Sequence, residues 1–257
     1  MNPATARRLL RLNREFYDAF ALDFADSRSA LQPGIPRALK ALGRFKSIVD
    51  VGCGDGRVGR ALAQRVVDHR VERYVGVDFS ARLLAEARQA GGGGAVAAHL
   101  PPEMGDMAVS FVQCDLAAPG WSARLTDRPF DAAVCFSALH HIPGARRRLR
   151  LLRGVRSLLK PGAQCAVSVW QFLHAPRLQR KIVSWSEIGL RPEDVDAGDY
   201  LLDWRRGGRG LRYVHSFDES ELMGLCRRAG FAPLDVYRSD GHSGNLGLYI
   251  LLHTVIY

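Results

Sequence analysis

The chain has 257 residues, 47% of them apolar, which suffices for one full hydrophobic core as a single domain over 1–257. No apolar run approaches the roughly 20 residues of a membrane-spanning helix, and the five cysteines contain no C-x-x-C pair, so no metal site or iron–sulfur cluster is expected and a reduced, cytoplasmic setting with no membrane partner follows. The net charge is +10 and rests almost wholly on arginine, since lysine occurs only at 40, 46, 160 and 181; a surface of that kind favours a polyanion such as RNA, or else simply solvates helix faces.

The first twenty residues are Arg-rich, as a transit peptide would be, yet Leu9, Leu12, Phe16 and Phe20 form a helical stripe, so the segment reads as a working helix. Pro33 and Pro36 introduce a second helix running to Leu42, and residues 1–44 together form the expected lid. The first strand is 47–51. It runs into Asp50-Val-Gly-Cys-Gly-Asp-Gly56, where Gly52, Gly54 and Gly56 allow a sharp strand-to-helix turn and let a ligand touch bare backbone. The place of a third dinucleotide-type glycine is held by Arg57, and Asp50 would repel a pyrophosphate. An acidic strand residue beside such a turn suits a cationic ligand, and S-adenosylmethionine carries both an ammonium and a sulfonium.

A helix over 57–67 leads to the second strand, 73–78, which ends in Asp78, 22 residues after Gly56. A carboxylate roughly 20 residues beyond such a loop accepts hydrogen bonds from ribose hydroxyls. Phe79 follows and could lay its ring on adenine, and Ser80 caps a helix over 80–90. Gly91–Gly94 and Pro101-Pro102 mark a mobile connection. The third strand, Ala108 to Cys114, closes with Asp115-Leu116, placed for the adenine edge. Strand four (130–136) is followed by Ser137, His140 and His141, which would face the transferred group. A histidine base suits an acceptor of high pKa, whereas a carboxylate acceptor needs none. One of two adjacent histidines is expected to pack or cap rather than react.

In the helix at 145–159, Leu149, Leu152, Val155 and Leu159 read as the buried stripe and the arginines as the exposed side. It stops at Lys160-Pro-Gly162, before strand five (164–170). A longer irregular insertion, 171–213, then supplies the acceptor side, followed by a helix at 218–229 and strands at 231–238 and 246–255.

Val49-Asp-Val-Gly-Cys-Gly-Asp-Gly56, Val75-Gly-Val-Asp-Phe-Ser80, Cys114-Asp-Leu116 and Phe130-Asp-Ala-Ala-Val-Cys-Phe-Ser-Ala-Leu-His-His-Ile142 resemble the successive motifs of class I S-adenosylmethionine-dependent methyltransferases over residues 47–170. The resemblance implies an α/β fold: a Rossmann-like seven-stranded sheet with helices on both faces, the last strand antiparallel, and S-adenosyl-L-methionine across the carboxyl ends of the first strands. On that reading Asp50, Gly52, Cys53, Gly54, Gly56, Asp78, Phe79, Asp115, Leu116 and Ser137 hold the cofactor, and Tyr17 covers it from the lid helix.

Phe16-Tyr-Asp-Ala-Phe-Ala-Leu-Asp-Phe-Ala-Asp-Ser-Arg28, Val169-Trp170 and Arg212-Tyr-Val-His-Ser-Phe217 are similar to segments of the tRNA wobble-uridine methyltransferases, which esterify a 5-carboxymethyluridine. This likeness implies Arg28, Trp170, Arg212, Tyr213 and His215 as acceptor-side residues, tRNA as a partner, and a small zinc-binding activator protein as a second one. Ser29-Ala-Leu-Gln-Pro-Gly-Ile-Pro36 lacks the family's aromatic, and Val214 replaces its second tyrosine. Two other functions stay open at this point: a small-molecule O-, N- or C-methyltransferase with a histidine base, and a non-enzymatic relative that keeps the cofactor site as a scaffold.

Overall fold

Strand order and direction place every feature of the candidate site at one edge of a sheet. The computed structural model describes residues 1–21, 23, 31–90 and 107–255. The predicted connection at 91–106 and Arg28 lie outside the described residues. Seven strands, β1 (Ser47–Val51), β2 (Arg73–Asp78), β3 (Ala108–Gln113), β4 (Phe130–Phe136), β5 (Leu159–Trp170), β9 (Phe231–Ser239) and β10 (Gly247–Thr254), form one sheet in the order β3-β2-β1-β4-β5-β10-β9. The pairs β1–β2, β1–β4, β2–β3 and β4–β5 are parallel, and β10 runs antiparallel to both of its neighbours. Chain order reverses between β1 and β4, and ligands of open α/β sheets bind at such a switch point, beyond the carboxyl ends of the strands.

The central strands are buried on both faces. Val49, Val51, Cys135, Val167 and Ile250 pack with helices α5 (Ala145–Ser157) and α7 (Glu219–Arg228). Ile48, Val134, Phe136 and Leu251 pack with α2 (Gly34–Ala41) and α3 (Arg57–Ala63). Such two-sided burial explains why these strands read as near-continuous apolar runs. Helix α4 (Ala81–Ala90) follows β2, and Ser80 Oγ accepts from the Leu83 amide at 3.3 Å as its cap.

Four differences from the sequence reading have local causes. Helix α3 ends at Ala63 rather than 67, because Arg65 takes φ +56° and turns the chain out of the helix. Strand β5 begins at Leu159, opposite Phe130, and Lys160-Pro-Gly162 forms a bulge in the β4–β5 ladder rather than a separate turn. On α5 the buried residues are Arg148, Leu151, Leu152 and Val155, so one arginine points inward.

The fourth difference is the insertion, which is ordered: β6 (Ile182–Val183), β7 (Asp199–Trp204) and β8 (Gly210–His215) make a small antiparallel sheet, with α6 (Pro176–Gln179) beside it. Leu201 and Tyr213 pack with Leu9 of the N-terminal helix α1 (Pro3–Ala19), while Leu202 and Val214 pack with Phe172 and Leu178. Both faces are thus covered, and the usual alternation of apolar and polar residues is lost.

Candidate cofactor and acceptor site

A cleft opens at the carboxyl ends of β1, β2 and β4, roofed by α1. Asp50, Gly52, Cys53, Gly54, Asp78, Phe79, Asp115, Leu116, Ser137, His141 and Tyr17 all line it, so the structure brings together most of the residues predicted for the cofactor. Gly56 stands just behind, with φ +76°, as the residue before α3.

The glycine loop is shaped by two close approaches. A Cβ on Gly52, whose φ is +82°, would stand 2.3 Å from Ala138 Cβ, so only glycine lets the loops after β1 and β4 meet. Gly54 has φ +56° and open space where a Cβ would stand. The loop is tied to β2 through its backbone: the amides of Gly52 and Cys53 donate to the Val77 carbonyl at 2.7 and 3.1 Å. Ser137 also adopts a left-handed conformation, φ +54°, its amide donating to the Ser168 carbonyl at 3.0 Å. For a non-glycine residue that geometry stores strain, and strain of this kind gathers at ligand sites.

Two carboxylates face the cleft from within the fold. Asp50 is 1% exposed and accepts a hydrogen bond from the Tyr74 hydroxyl at 2.7 Å. Burial raises its pKa to about 7; the Tyr74 bond pulls the other way, and the charge of Asp78 adds to the rise. Asp78 accepts from the Gly54 amide at 3.0 Å and the Ser80 amide at 2.9 Å. Its pKa is pushed up to about 6, by burial first, despite those bonds. Buried carboxylates held together without a countercation disfavour their own ionisation. A cationic ligand would relieve that cost, and open backbone at Gly54 gives it room.

Asp115 has a different setting. Its Oδ1 accepts from the Ala117 amide at 3.0 Å, and Oδ2 pairs with Arg14 of α1 at 2.5 Å, on the partly exposed lip of the cleft. Phe79 is half-buried, with its ring edge-on to Tyr17 at 5.8 Å between centroids.

The two histidines divide as expected for a neighbouring pair, one packing and one facing the ligand space. His140 is 1% exposed, and its Nδ1 accepts from the Trp170 amide at 3.2 Å; it does not line the cleft. His141 lines it. Its Nδ1 lies 3.2 Å from the Tyr213 carbonyl and its Nε2 lies 2.8 Å from the Tyr17 hydroxyl.

The acceptor-side residues separate into two groups. Arg212 and Trp170 lie next to the cleft. The Arg212 guanidinium sits 4.9 Å from the Trp170 ring, 5.5 Å from Trp204 and 5.4 Å from Phe16, and it hydrogen-bonds Tyr17. Burial lowers its pKa, and among the described residues two of its nitrogens, Nε and Nη1, are buried with no hydrogen-bond partner. Tyr213 and His215 lie elsewhere, inside a polar network between the small sheet and helices α5 and α7. The Tyr213 hydroxyl donates to Asp199 at 2.7 Å, and His215 lies between Asp199 at 2.7 Å and Glu221 at 3.0 Å. Arg148 closes the network against the Tyr213 hydroxyl and Glu221. Nothing in the spacing of Arg212-Tyr-Val-His215 distinguishes these roles; on a strand the side chains alternate, so Arg212 and Tyr213 must face opposite ways.

Sequence reading passed over Asn13. It is 4% exposed, donates to the carbonyls of His141 and Tyr213 at 3.1 Å each, and accepts from the Tyr213 amide at 2.8 Å. The signal was present: Asn13 is the polar member of the stripe Leu9, Asn13, Phe16, Tyr17 on the buried face of α1.

An open parallel sheet with acidic residues behind a glycine turn at its switch point defines a nucleoside-cofactor enzyme of the Rossmann-like class. Comparison with known proteins completes the assignment: the methyltransferase domain family matches residues 24–236, and the chain belongs to it. It is an S-adenosylmethionine-dependent methyltransferase. A protein of Encephalitozoon cuniculi named only as a methyltransferase is 28% identical over 226 residues, covering 88% of this chain and 89% of that one. The tRNA (carboxymethyluridine(34)-5-O)-methyltransferase of Schizosaccharomyces pombe is 23% identical over 237 residues, 86% of this chain and 89% of that one. Mouse ALKBH8, also named as a tRNA (carboxymethyluridine(34)-5-O)-methyltransferase, is 26% identical over 72% of this chain, which spans only 23% of that protein. Among solved structures, an S-adenosylmethionine-dependent methyltransferase from Methanosarcina mazei shares the fold, with a TM-score of 0.62 at 21% identity over 88% of this chain and 99% of that one. Among the described residues, no helix is long and apolar enough to cross a membrane.

Proposed function

We propose that this enzyme transfers a methyl group to a carboxylate on tRNA, forming the methyl ester of a 5-carboxymethyl group on a wobble uridine. The observation that carries the reading is Arg212: a buried guanidinium, boxed by Trp170, Trp204 and Phe16, with Nε and Nη1 unpartnered among the described residues and Tyr17 linking it to the cleft. A carboxylate of the acceptor would neutralise this buried guanidinium and accept a charge-assisted hydrogen bond from one of the two nitrogens, whose N–H groups lie on different edges of the plane. The names of the S. pombe and mouse relatives support the substrate class, and so does the net charge of +10.

Bound across the glycine loop, S-adenosylmethionine supplies an electrophilic methyl carbon on a sulfonium. Asp50 and the glycine loop would hold the methionine part, and Asp78 the ribose. Arg212 would orient the acceptor oxygen in line with the methyl carbon. Alignment in a dry pocket is the main contribution such a reaction asks of a protein. An ionised carboxylate already carries its attacking electron pair, so no proton has to leave and no base is required. Residues 1–257 act as one catalytic unit in this reading, working in the cytoplasm, and a small zinc-binding activator is the partner that the family resemblance implies.

Mass analysis of tRNA nucleosides from cells with and without the gene tests the proposal. Loss of the methyl ester with accumulation of the free carboxymethyl nucleoside is expected, and an unchanged nucleoside profile would contradict it. A second reading, a small-molecule methyltransferase with a histidine base, draws on His141, whose Nε2 faces the cleft through Tyr17.

A further inference from the structure

The mouth of the cleft carries more positive charge than the fold can use. Arg14 pairs with Asp115 at 2.5 Å on the lip, where Asp18 of α1 is the other carboxylate that lines the same concavity among the described residues. Arg7, Leu10 and Arg14 share one face of α1, and Leu10 and Arg14 both line the cleft, so Arg7 stands one turn beyond its rim. The loop after β4 leaves the cleft at Ile142 and enters α5, whose first turns present Arg146, Arg147 and Arg150 outward beside α1. Arg7 and Arg150 both stand close enough to act on Arg147: its pKa is lowered, by partial burial first and then by the charges of Arg150 and Arg7, with the charge of Asp115 pulling the other way. Among the described residues none of these four arginines forms an ion pair with a carboxylate.

Like charges gathered without partners destabilise a fold unless an anion visits them. We propose that Arg7, Arg147 and Arg150 form a phosphate-docking ridge, which holds the RNA backbone beside the cleft so that one extruded nucleotide reaches the Arg212 end. The proposal rests on the tRNA reading above and specifies the surface that the reading leaves open. RNA is favoured over an acidic protein or a lipid surface because the ridge is continuous with the cleft lip, and a base must enter that cleft. Arginine also serves both phosphate contact and base stacking. Phosphate contacts of this kind position a nucleic acid without reading its sequence.

The test uses the full chain and a fluorescein-labelled anticodon stem–loop RNA, with binding followed by anisotropy across a potassium chloride series. The ridge variant is Arg7→Gln/Arg147→Gln/Arg150→Gln. The comparison variant removes the same charge at the opposite rim of the sheet, as Arg44→Gln/Arg65→Gln/Arg128→Gln. S-adenosylhomocysteine affinity, measured by calorimetry, reports that both variants keep the fold and the cofactor cleft.

The ridge variant is expected to lose about tenfold or more in RNA affinity near 0.1 M salt and to reduce the salt slope by about 2, while the rim variant stays within about threefold of the parent. Equal losses in both variants, or none in either, would overturn the ridge while leaving the tRNA reading intact. A parent protein that takes up S-adenosylhomocysteine but binds no RNA at low salt would sink the tRNA reading itself, and the ridge with it. Ridge-dependent binding to phosphatidylserine vesicles in place of RNA would overturn the assignment in favour of a membrane surface.

Discussion

The Tyr17 hydroxyl donates to Nε2 of His141, 2.8 Å away. The direction is fixed from the far side of the ring: His141 Nδ1 lies 3.2 Å from the Tyr213 carbonyl, which can only accept, so the proton sits on Nδ1 and Nε2 is the acceptor. Tyr17 in turn receives the Arg212 guanidinium. Helix α1, the His141 edge of the cleft and Arg212 are therefore joined through one phenol.

That relationship separates the two acceptor classes. His141→Asn keeps a donor for the Tyr213 carbonyl and removes the Nε2 acceptor. With a carboxylate acceptor, turnover is expected to stay within about tenfold of the parent, and the rise of activity with pH on the acid side is expected to be unchanged by the substitution. A general base contributes about a hundredfold or more. Loss on that scale, with S-adenosylhomocysteine affinity intact, would favour the small-molecule reading.

Asp78 binds the Gly54 and Ser80 amides as well as lining the cleft, so its removal should strike both ligand and loop. Asp78→Ala is expected to weaken S-adenosylhomocysteine binding by at least about tenfold in calorimetry, the equivalent of about 1.4 kcal/mol, while circular dichroism shows the fold retained. An unchanged dissociation constant would remove the ribose assignment.

Cofactor binding should depend on pH through the two buried carboxylates. Asp50 at about 7 and Asp78 at about 6 are both raised above 3.8, so their protonated forms favour the ligand-free fold, and that stability is lost as pH rises through 6 to 7. A cationic ligand prefers them ionised. The increase in Tm produced by saturating S-adenosylmethionine should thus grow from pH 5.5 to pH 8. Asp50→Asn, which retains a partner for Tyr74, should bind more weakly and show a flatter dependence. An increment that is level or falls with pH would contradict the arrangement.

His215 titrates in the same direction for another reason. Burial opposes its charge, yet hydrogen bonds to Asp199 and Glu221 outweigh burial and raise its pKa above 6.5. Its stabilising contribution is complete below that value and is lost as pH climbs through the raised one. Relative to the parent, His215→Gln should be destabilised most at pH 6 and least at pH 9, as followed by thermal denaturation. A pH-independent deficit would show that His215 is neutral throughout.

Asn13 bolts α1 to β8 and to the turn carrying His141. Asn13→Ala removes three hydrogen bonds from that seam and leaves the His141 carbonyl and the Tyr213 amide without that partner, while the Tyr213 carbonyl keeps His141 Nδ1, a loss of about 2–4 kcal/mol. A Tm lowered by roughly 5–10 °C is expected for a chain of this size. A variant as stable as the parent would mean that α1 is held by its apolar stripe alone.

The main sheet and the cofactor end of the cleft were legible because local chemistry dictates them. Buried parallel strands need unbroken apolar runs, and the turn after β1 needs glycine at 52 and 54 whatever the rest of the chain does. What escaped notice depends on tertiary neighbours. Arg148 reads as one of several arginines on α5, and only its position under β8 and α7 turns it inward to meet Tyr213 and Glu221. The insertion looked irregular because Leu201, Leu202, Tyr213 and Val214 are buried on both faces of a small sheet, which erases the period-two pattern. Tyr213 and His215 sit in the same short motif as Arg212 yet serve the seam between the small sheet and helices α5 and α7, a division set by the tertiary partners on either side of β8.

Methyl transfer itself offers the most direct test. The protein, isolated by gentle affinity capture with any bound partner retained, would be incubated with methyl-labelled S-adenosylmethionine and tRNA bearing a carboxymethyl wobble uridine, and the product exposed to mild alkali. The account predicts label in the wobble nucleoside that alkali releases as methanol, as an ester must. Label that survives alkali, or tRNA that stays unlabelled while a small metabolite takes up the methyl group, would contradict it.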